Sequence, residues 1–244
     1  VGISAPAGNC PDVDTTFLCS FSLVTADNTG QTVPVASSYT DDVNYNIGTS
    51  FSAPIVAAVA GLMYSVNDGL TTGEFIARIK SGARPFPAPQ PGLPTCPDLD
   101  SETAQCNCTT STCGAGIADA PAAVNEALRP MARVVTPSGS GAGLNVTLDG
   151  GSSAAARDRT IVSYAWTGTS GDPTFVGGTS GQTATVAVPS SGQVTVQLQV
   201  TDDAGRTDAQ DVTLGAAPGG GGGGALHPLL LAGRDLGRVV LLSR

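Results

Sequence analysis

Residues 50–66 read SFSAPIVAAVAGLMYSV, with polar side chains only at Ser50, Ser52, Ser65 and the ring hydroxyl of Tyr64. A helix built from this run has no face for water, so it must be packed on all sides. It falls short of the roughly 18 or more apolar residues that a membrane span needs, and so reads as the core helix of a globular domain. Pro54 is expected in its first turn, where a backbone N–H has no partner inside the helix. Such a helix needs surrounding layers, and the neighbouring sequence offers them. Apolar residues 1–5 and 33–37 read as strands. A second helix starts at Thr71 or Thr72, with Thr71 and Glu74 spaced as a capping box and Gly82 at its end. A third runs from an Asp119 cap, with Pro121 in its first turn, to a stop at Pro130. Strands mixed with helices over residues 1–130 make an α/β domain.

Beyond residue 133 the periodicity changes from helical to alternating. Leu144, Val146 and Leu148 share one face, as do Tyr164 and Trp166, then Ala184, Val186 and Val188, then Val194, Val196, Leu198 and Val200, and last Val212 and Leu214. Period-2 runs of this kind, separated by Gly, Ser, Asp and Pro turns over residues 133–215, describe an all-β immunoglobulin-like sandwich. Trp166, sharing its face with Tyr164, belongs to the core of that sandwich and not to a ligand platform. Residues 216–244 are a third zone, a Gly-rich linker with unbroken glycine at 219–224, followed by an apolar and basic tail.

The chain carries 11 Lys and Arg against 20 Asp and Glu, a net charge of −9, which repels a phosphate backbone and excludes nucleic acid as a partner. Cysteines stand at Cys10, Cys19, Cys96, Cys106, Cys108 and Cys113. Their crowding in polar loops reads as disulfide usage and hence export. A zinc site at the last four is the rival reading, weakened by the lack of paired C-x-x-C knuckles and of a nearby histidine. Cys106 and Cys108 lie two apart and point to opposite sides of an extended segment, so they do not bond each other. If Cys10 pairs with Cys19, two connectivities remain for the other four. Export implies a leader, yet the chain opens at Val1 with neither basic nor apolar leader segment, so its start is expected to be internal.

Chemistry concentrates in Gly48-Thr49-Ser50-Phe51-Ser52-Ala53-Pro54. A serine hydroxyl becomes a nucleophile only when it is held rigidly beside a base. The start of a buried helix supplies that rigidity, together with free N–H groups and partial positive charge for an oxyanion. Gly48 is expected to let a substrate or a neighbouring strand approach the backbone. The plain alternative is that Ser50 or Thr49 only caps the helix.

The segment resembles the serine signature of the subtilisin-like serine peptidases, commonly Gly-Thr-Ser-Met-Ala-x-Pro. Two further stretches resemble that family in the same order: Ile3-Ser4-Ala5-Pro6-Ala7-Gly8, and Cys113-Gly114-Ala115-Gly116-Ile117-Ala118-Asp119-Ala120. Phe51-Ser52 in place of Met-Ala, and Ala7 where glycine is usual, are departures. The resemblance implies the C-terminal part of a three-layer parallel-sheet domain, with Ser50 as nucleophile and oxyanion-hole N–H donor and with Gly48, Thr49 and Pro54 in support. The implied activity is that of a serine endopeptidase acting through an acyl-enzyme on extracellular proteins and peptides. In this family the triad runs Asp, His, Ser along the chain. The single histidine, His227, follows the serine and lies past the glycine run, so the chain is expected to be inactive alone. Its core helix is likewise expected to lack partners on several faces.

Residues 133–215 resemble the PKD family through Leu148-Asp149-Gly150, residues 161–166 and residues 198–205, although Trp166 is not followed by the usual Gly-Asp-Gly. The tail resembles a Gram-negative C-terminal sorting signal, which implies a secreted or cell-surface protein of such a bacterium whose membrane contact, if any, runs through that tail. No cofactor is identifiable. Structural calcium occurs in the family, but no site is locatable, and Asp41 and Asp42 read as solvated turn residues. A monomer is expected. The reading from another class is a non-catalytic binding or adhesion protein that retains a peptidase remnant beside a sandwich.

Overall fold

The structure is a computed structural model that describes residues 2–8, 23–40, 48–97, 106–137 and 141–215. Cys10, Cys19, Asp41, Asp42, His227, the glycine run and the tail lie outside the described residues. The apolar run forms helix α1, Thr49–Val66, and within it only Ser52, Val59 and Met63 are buried. These three lie on one stripe, since steps of seven and four residues keep to the same side of a helix. Among the described residues the helix is thus not packed on all sides, in line with the expectation that several of its faces lack partners. The described residues pack against that single stripe, leaving Leu62 51% and Tyr64 59% exposed. With 18 residues, α1 also has the length and composition of a membrane-crossing helix, a test that core helices of soluble proteins pass as well. Pro54 is the sixth residue of α1 and so lies in its second turn, not its first. There its missing N–H deprives the Ser50 carbonyl of its helical partner.

The second helix, α2, spans Thr72–Ser81, starting one residue after Thr71. It buries Ile79 and Arg78, whose Nη1 donates to the Glu126 carbonyl at 3.1 Å. Gly82 follows α2 for a reason of packing: a Cβ there would lie 2.9 Å from backbone atoms of Ala122 and Ala123. Those residues belong to α3, Ala120–Ala127, which Asp119 caps by accepting from the Ala122 N–H at 3.0 Å.

Strand structure differs from expectation at both sites in this region. Among the described residues of the expected 1–5 strand, the pairing is one parallel bridge, Ser4 to Ile117, and Ile117 also bridges Arg84 in antiparallel sense. The strand expected at 33–37 falls later, in a hairpin of β1, Thr25–Asn28, with β2, Ser37–Thr40. The cause is Asn28, whose Oδ1 accepts from the N–H groups of both Gly30 and Val35 at 2.9 and 2.8 Å. This closes the connection into an Asx-type loop and puts Val33 and Val35 in it, 65% and 72% exposed.

The chain divides into two compact units. One contains described residues 2–63 and 72–126. The other contains residues 64–71 and 127–215 and carries the sandwich. Its strands are β3 (Asn145–Asp149), β4 (Ile161–Ser170), β5 (Thr174–Phe175), β6 (Thr183–Ala187), β7 (Gln193–Asp202) and β8 (Thr207–Gly215). They form two antiparallel three-stranded sheets in the orders β3-β6-β5 and β4-β7-β8. Alternation sets the register: Val146 faces Val186 and Leu148 faces Ala184 in one sheet, while Trp166 faces Leu198 and Val196 faces Val212 in the other. The inward residues make one core around Trp166, Leu148, Val186, Val196, Leu198 and Val200. Each large aliphatic side chain buried this way contributes about 1.5–3 kcal/mol. Trp166 is 2% exposed, and its ring N–H donates to the Gly181 carbonyl at 3.0 Å, so the one polar atom of the ring is satisfied inside the core. Leu144 departs from the expected pattern: it precedes β3 and is 53% exposed. Residues 64–71 belong to this unit through the Arg157 N–H, which donates to the Val66 carbonyl at 3.0 Å, and through buried Asn67, whose Nδ2 donates to the Ala127 carbonyl at 2.9 Å.

The uneven burial predicts uneven protection. In hydrogen exchange on the 244-residue chain, amides of residues 51–63 are expected to exchange faster than those of residues 194–200, which lie in the sandwich core. Equal protection of the two segments would contradict the picture of a helix packed along one stripe.

Candidate active site

Ser50 is the second residue of α1 and is exposed. No described residue makes a hydrogen bond to its hydroxyl. The turn beneath it is held by backbone geometry. Gly48 adopts φ +130°, a conformation that side chains disfavour, and no atom lies within 4 Å of where its Cβ would be. The glycine therefore serves the backbone conformation; among the described residues nothing approaches the side where a side chain would stand, while the segment at residues 5–7 approaches on its N–H side. The Gly48 N–H donates to the Ala7 carbonyl at 2.7 Å, and the Gly48 carbonyl accepts from the Phe51 N–H at 3.1 Å. Thr49 opens the helix between them.

Ser52 completes the support, a role that sequence reasoning missed. Its side chain is fully buried, and its hydroxyl lies 3.0 Å from the Ala5 carbonyl and 2.9 Å from the Pro6 carbonyl. The signal was available as a departure from pattern, a hydroxyl where the resembling family commonly has alanine. Ser4 acts in the same way on the other side, its hydroxyl donating to the Cys113 carbonyl at 2.8 Å. Its N–H donates to the Gly116 carbonyl at 2.9 Å, and its carbonyl accepts from the Ala118 N–H at 2.7 Å. The three motifs singled out in the sequence, at residues 3–8, 48–54 and 113–120, thus meet in one hydrogen-bonded cluster. Its tightness excludes side chains at two positions: a Cβ at Gly114 would lie 2.9 Å from Gly2 backbone, and one at Gly116 would lie 2.5 Å from the Arg84 carbonyl oxygen.

Of the two connectivities left open for the cysteines, the structure takes Cys96 with Cys106 and Cys108 with Cys113. A cavity of about 290 Å³ lies along residues 4–8 and is walled by Phe86, Pro87, Ala88 and Ile117, with Arg84 and Gln90 also lining it. None of residues 48–54 lines it, so it is separate from the serine. No histidine occurs among the described residues, so they supply no imidazole base to Ser50.

Comparison with known proteins defines the class. Residues 1–116 match the family model described as "Subtilase family", and residues 142–215 match "K319L-like, PKD domain". No curated protein matches the chain significantly. Among solved structures, the PKD1 domain of Vibrio anguillarum Epp is similar at 30% identity, over 35% of this chain and 89% of that one, with a TM-score of 0.28. The PKD1 domain of Vibrio cholerae metalloprotease PrtV is similar at 29% identity, over 35% of this chain and 94% of that one, also at 0.28. The PKD domain from KIAA 1837 protein is similar at 22% identity, over 38% and 94%, again at 0.28. Residues 1–116 are thus similar to the subtilase family over just under half of the chain, and residues 142–215 are a PKD domain.

The Ser52 clamp can be tested directly. Ser52→Ala is expected to cost about 1–2 kcal/mol by removing the one hydroxyl hydrogen that the Ala5 and Pro6 carbonyls share. Hydrogen exchange should read this as a roughly 5- to 30-fold acceleration at the Gly48 amide, which bonds Ala7 beside the clamp. An unchanged rate would mean that the hydroxyl does not hold the turn.

Proposed function

We propose that Ser50 is the nucleophile of a subtilisin-like serine endopeptidase that cleaves extracellular proteins. One observation carries this reading: an exposed hydroxyl stands at the first turn of α1, on a backbone fixed by Gly48, Ser52 and the 5–7 carbonyls. Ser50 Oγ attacks the peptide carbonyl, and its proton passes through a base to the leaving amine. Water then hydrolyses the acyl-enzyme and restores the hydroxyl. The charge that develops on the carbonyl oxygen meets the Ser50 N–H and the positive end of α1, where donors are already oriented and need not reorganise.

The base and the aspartate that orients it come, in this reading, from residues outside the 244. The single histidine of the chain, His227, follows the serine and the glycine run, and nothing described brings it to Ser50. The chain on its own therefore transfers no acyl group. Export to an oxidising compartment is supported by the Cys96–Cys106 and Cys108–Cys113 disulfides. The protein is then a secreted or cell-surface one, the Gram-negative assignment resting on the tail resemblance alone. The PKD domain serves as a spacer or as a substrate-surface contact.

A fluorophosphonate probe tests the assignment. In a polypeptide that also carries the upstream aspartate and histidine, it is expected to label Ser50, with labelling lost on Ser50→Ala, while the 244-residue chain stays unlabelled. Absence of labelling in the longer polypeptide would favour the non-catalytic binding or adhesion reading. Proteolysis by the 244-residue chain, lost on Ser50→Ala, would show that its base lies within these residues.

A further inference from the structure

The cavity of about 290 Å³ along residues 4–8 is set apart from Ser50, and its walls are fixed by contacts of their own. Its buried side is formed by Ser4, Ala5 and Ala7, none more than 3% exposed. Arg84 and Ile117 line it as a bonded pair, each N–H donating to the other's carbonyl at 2.8 Å. The opposite wall comes from residues 84–90, where Pro85, Pro87 and Pro89 alternate with other residues. Each proline ring fixes φ near −65°, so this wall has little freedom left to lose when a ligand binds. Its far end is clamped by Asn107, whose side-chain amide accepts from the Gln90 N–H at 2.8 Å and donates to the Gln90 and Leu93 carbonyls at 3.1 and 2.9 Å.

The chemistry of the lining is that of an apolar site with one charge at its rim. Alanine, proline, Phe86 and Ile117 supply most of it. Of the polar side chains, the Ser4 hydroxyl is spent on the Cys113 carbonyl, the Asn107 amide on residues 90–93, and Cys108 carries no charge because it is bonded to Cys113. Arg84 and Gln90 remain. Both are exposed, and neither side chain has a hydrogen bond or an ion pair among the described residues. No Asp or Glu is among the lining residues, so nothing there offsets the permanent charge of the guanidinium. An apolar cavity of about 150 Å³ is enough to take up a benzene molecule. This one is about twice that size, with room for a ring and a short chain reaching to the rim.

We propose that this cavity binds a small aryl- or alkyl-carboxylate, with the apolar body against Phe86 and Ile117 and the carboxylate paired with Arg84. A planar guanidinium offers a carboxylate two parallel N–H donors, which fixes the orientation of the ligand as well as holding it. Other occupants match the lining less well. A cation meets the charge of Arg84, an inorganic anion gains nothing from the apolar walls, and a neutral hydrocarbon leaves the guanidinium without a partner. The same chemistry has two sources, a free acid and the C-terminal residue of a peptide that ends in a large apolar side chain. The site shares no lining residue with the segment 48–54, so it stands whether or not Ser50 is a nucleophile.

The test is a titration of the isotope-labelled 244-residue chain with 4-phenylbutyrate, followed by NMR. Saturable shifts are expected at the amides of Ala5, Ala7, Asn107 and Ile117, with a Kd of about 1 mM or tighter, the scale for a ligand of about a dozen heavy atoms. The uncharged isostere 4-phenylbutyramide should bind at least about tenfold more weakly, and Arg84→Met, which keeps an apolar stem at an exposed position, should weaken the acid by a similar factor. N-acetyl-Ala-Phe with a free carboxylate separates the two sources: shifts at the same amides extend the site to peptide C-termini, and their absence assigns it to free acids. The proposal is overturned if the acid produces no saturable shift at those amides. It is overturned equally if acid and amide bind alike to the unaltered chain, a comparison that does not depend on the folding of any variant.

Discussion

The segment around Ser4 is the tie on which the arrangement of the first unit depends. Its backbone bonds Gly116 and Ala118 on one side, and its hydroxyl reaches the Cys113 carbonyl. A few residues later, the carbonyls of Ala5, Pro6 and Ala7 receive the Ser52 hydroxyl and the Gly48 N–H. Backbone polar groups at a buried place must find partners, and here they find them across more than a hundred residues of sequence. The two glycines that let the closing segment approach, Gly114 and Gly116, are as necessary as the bonds, since a methyl group at either would meet backbone. The position of Ser50 is thus set by contacts made by its neighbours and not by the serine itself.

Much of the fold was legible because it follows from periodicity and punctuation. The Asp119 cap, the Thr72 start of α2 and the alternating core of the sandwich are local signals that tertiary structure did not override. The misreadings share a cause. Val33 and Val35 read as a strand because aliphatic residues favour strands, but Asn28 uses its side chain to close that stretch into a loop. Leu144 has the right parity for the core and its carbonyl accepts from the Val188 N–H, but it stands at the exposed end just before β3. For α1, apolar composition calls for cover on every face, and the partial burial follows the expectation that this chain leaves several of those faces unpartnered.

The candidate site was legible in part. Its three motifs were visible as residue patterns, but that they meet is a property of long-range hydrogen bonds that no local pattern encodes. Ser52 illustrates the gap: its hydroxyl in place of the common alanine marks it as unusual, but only the long-range contacts show that it reaches residues 5 and 6. The pairing of Cys96 with Cys106 was likewise one of two arithmetically equal choices until the loop geometry selected it.

Pro54 carries a mechanical consequence. A helix normally transmits tension along its axis through its ladder of backbone bonds, and a proline in the second turn removes the rung that would anchor the Ser50 carbonyl. The turn bearing the hydroxyl is instead moored sideways, through Gly48 and Ser52, to residues 5–7. The serine's turn therefore takes its position from residues 5–7 as well as from the helix that follows it.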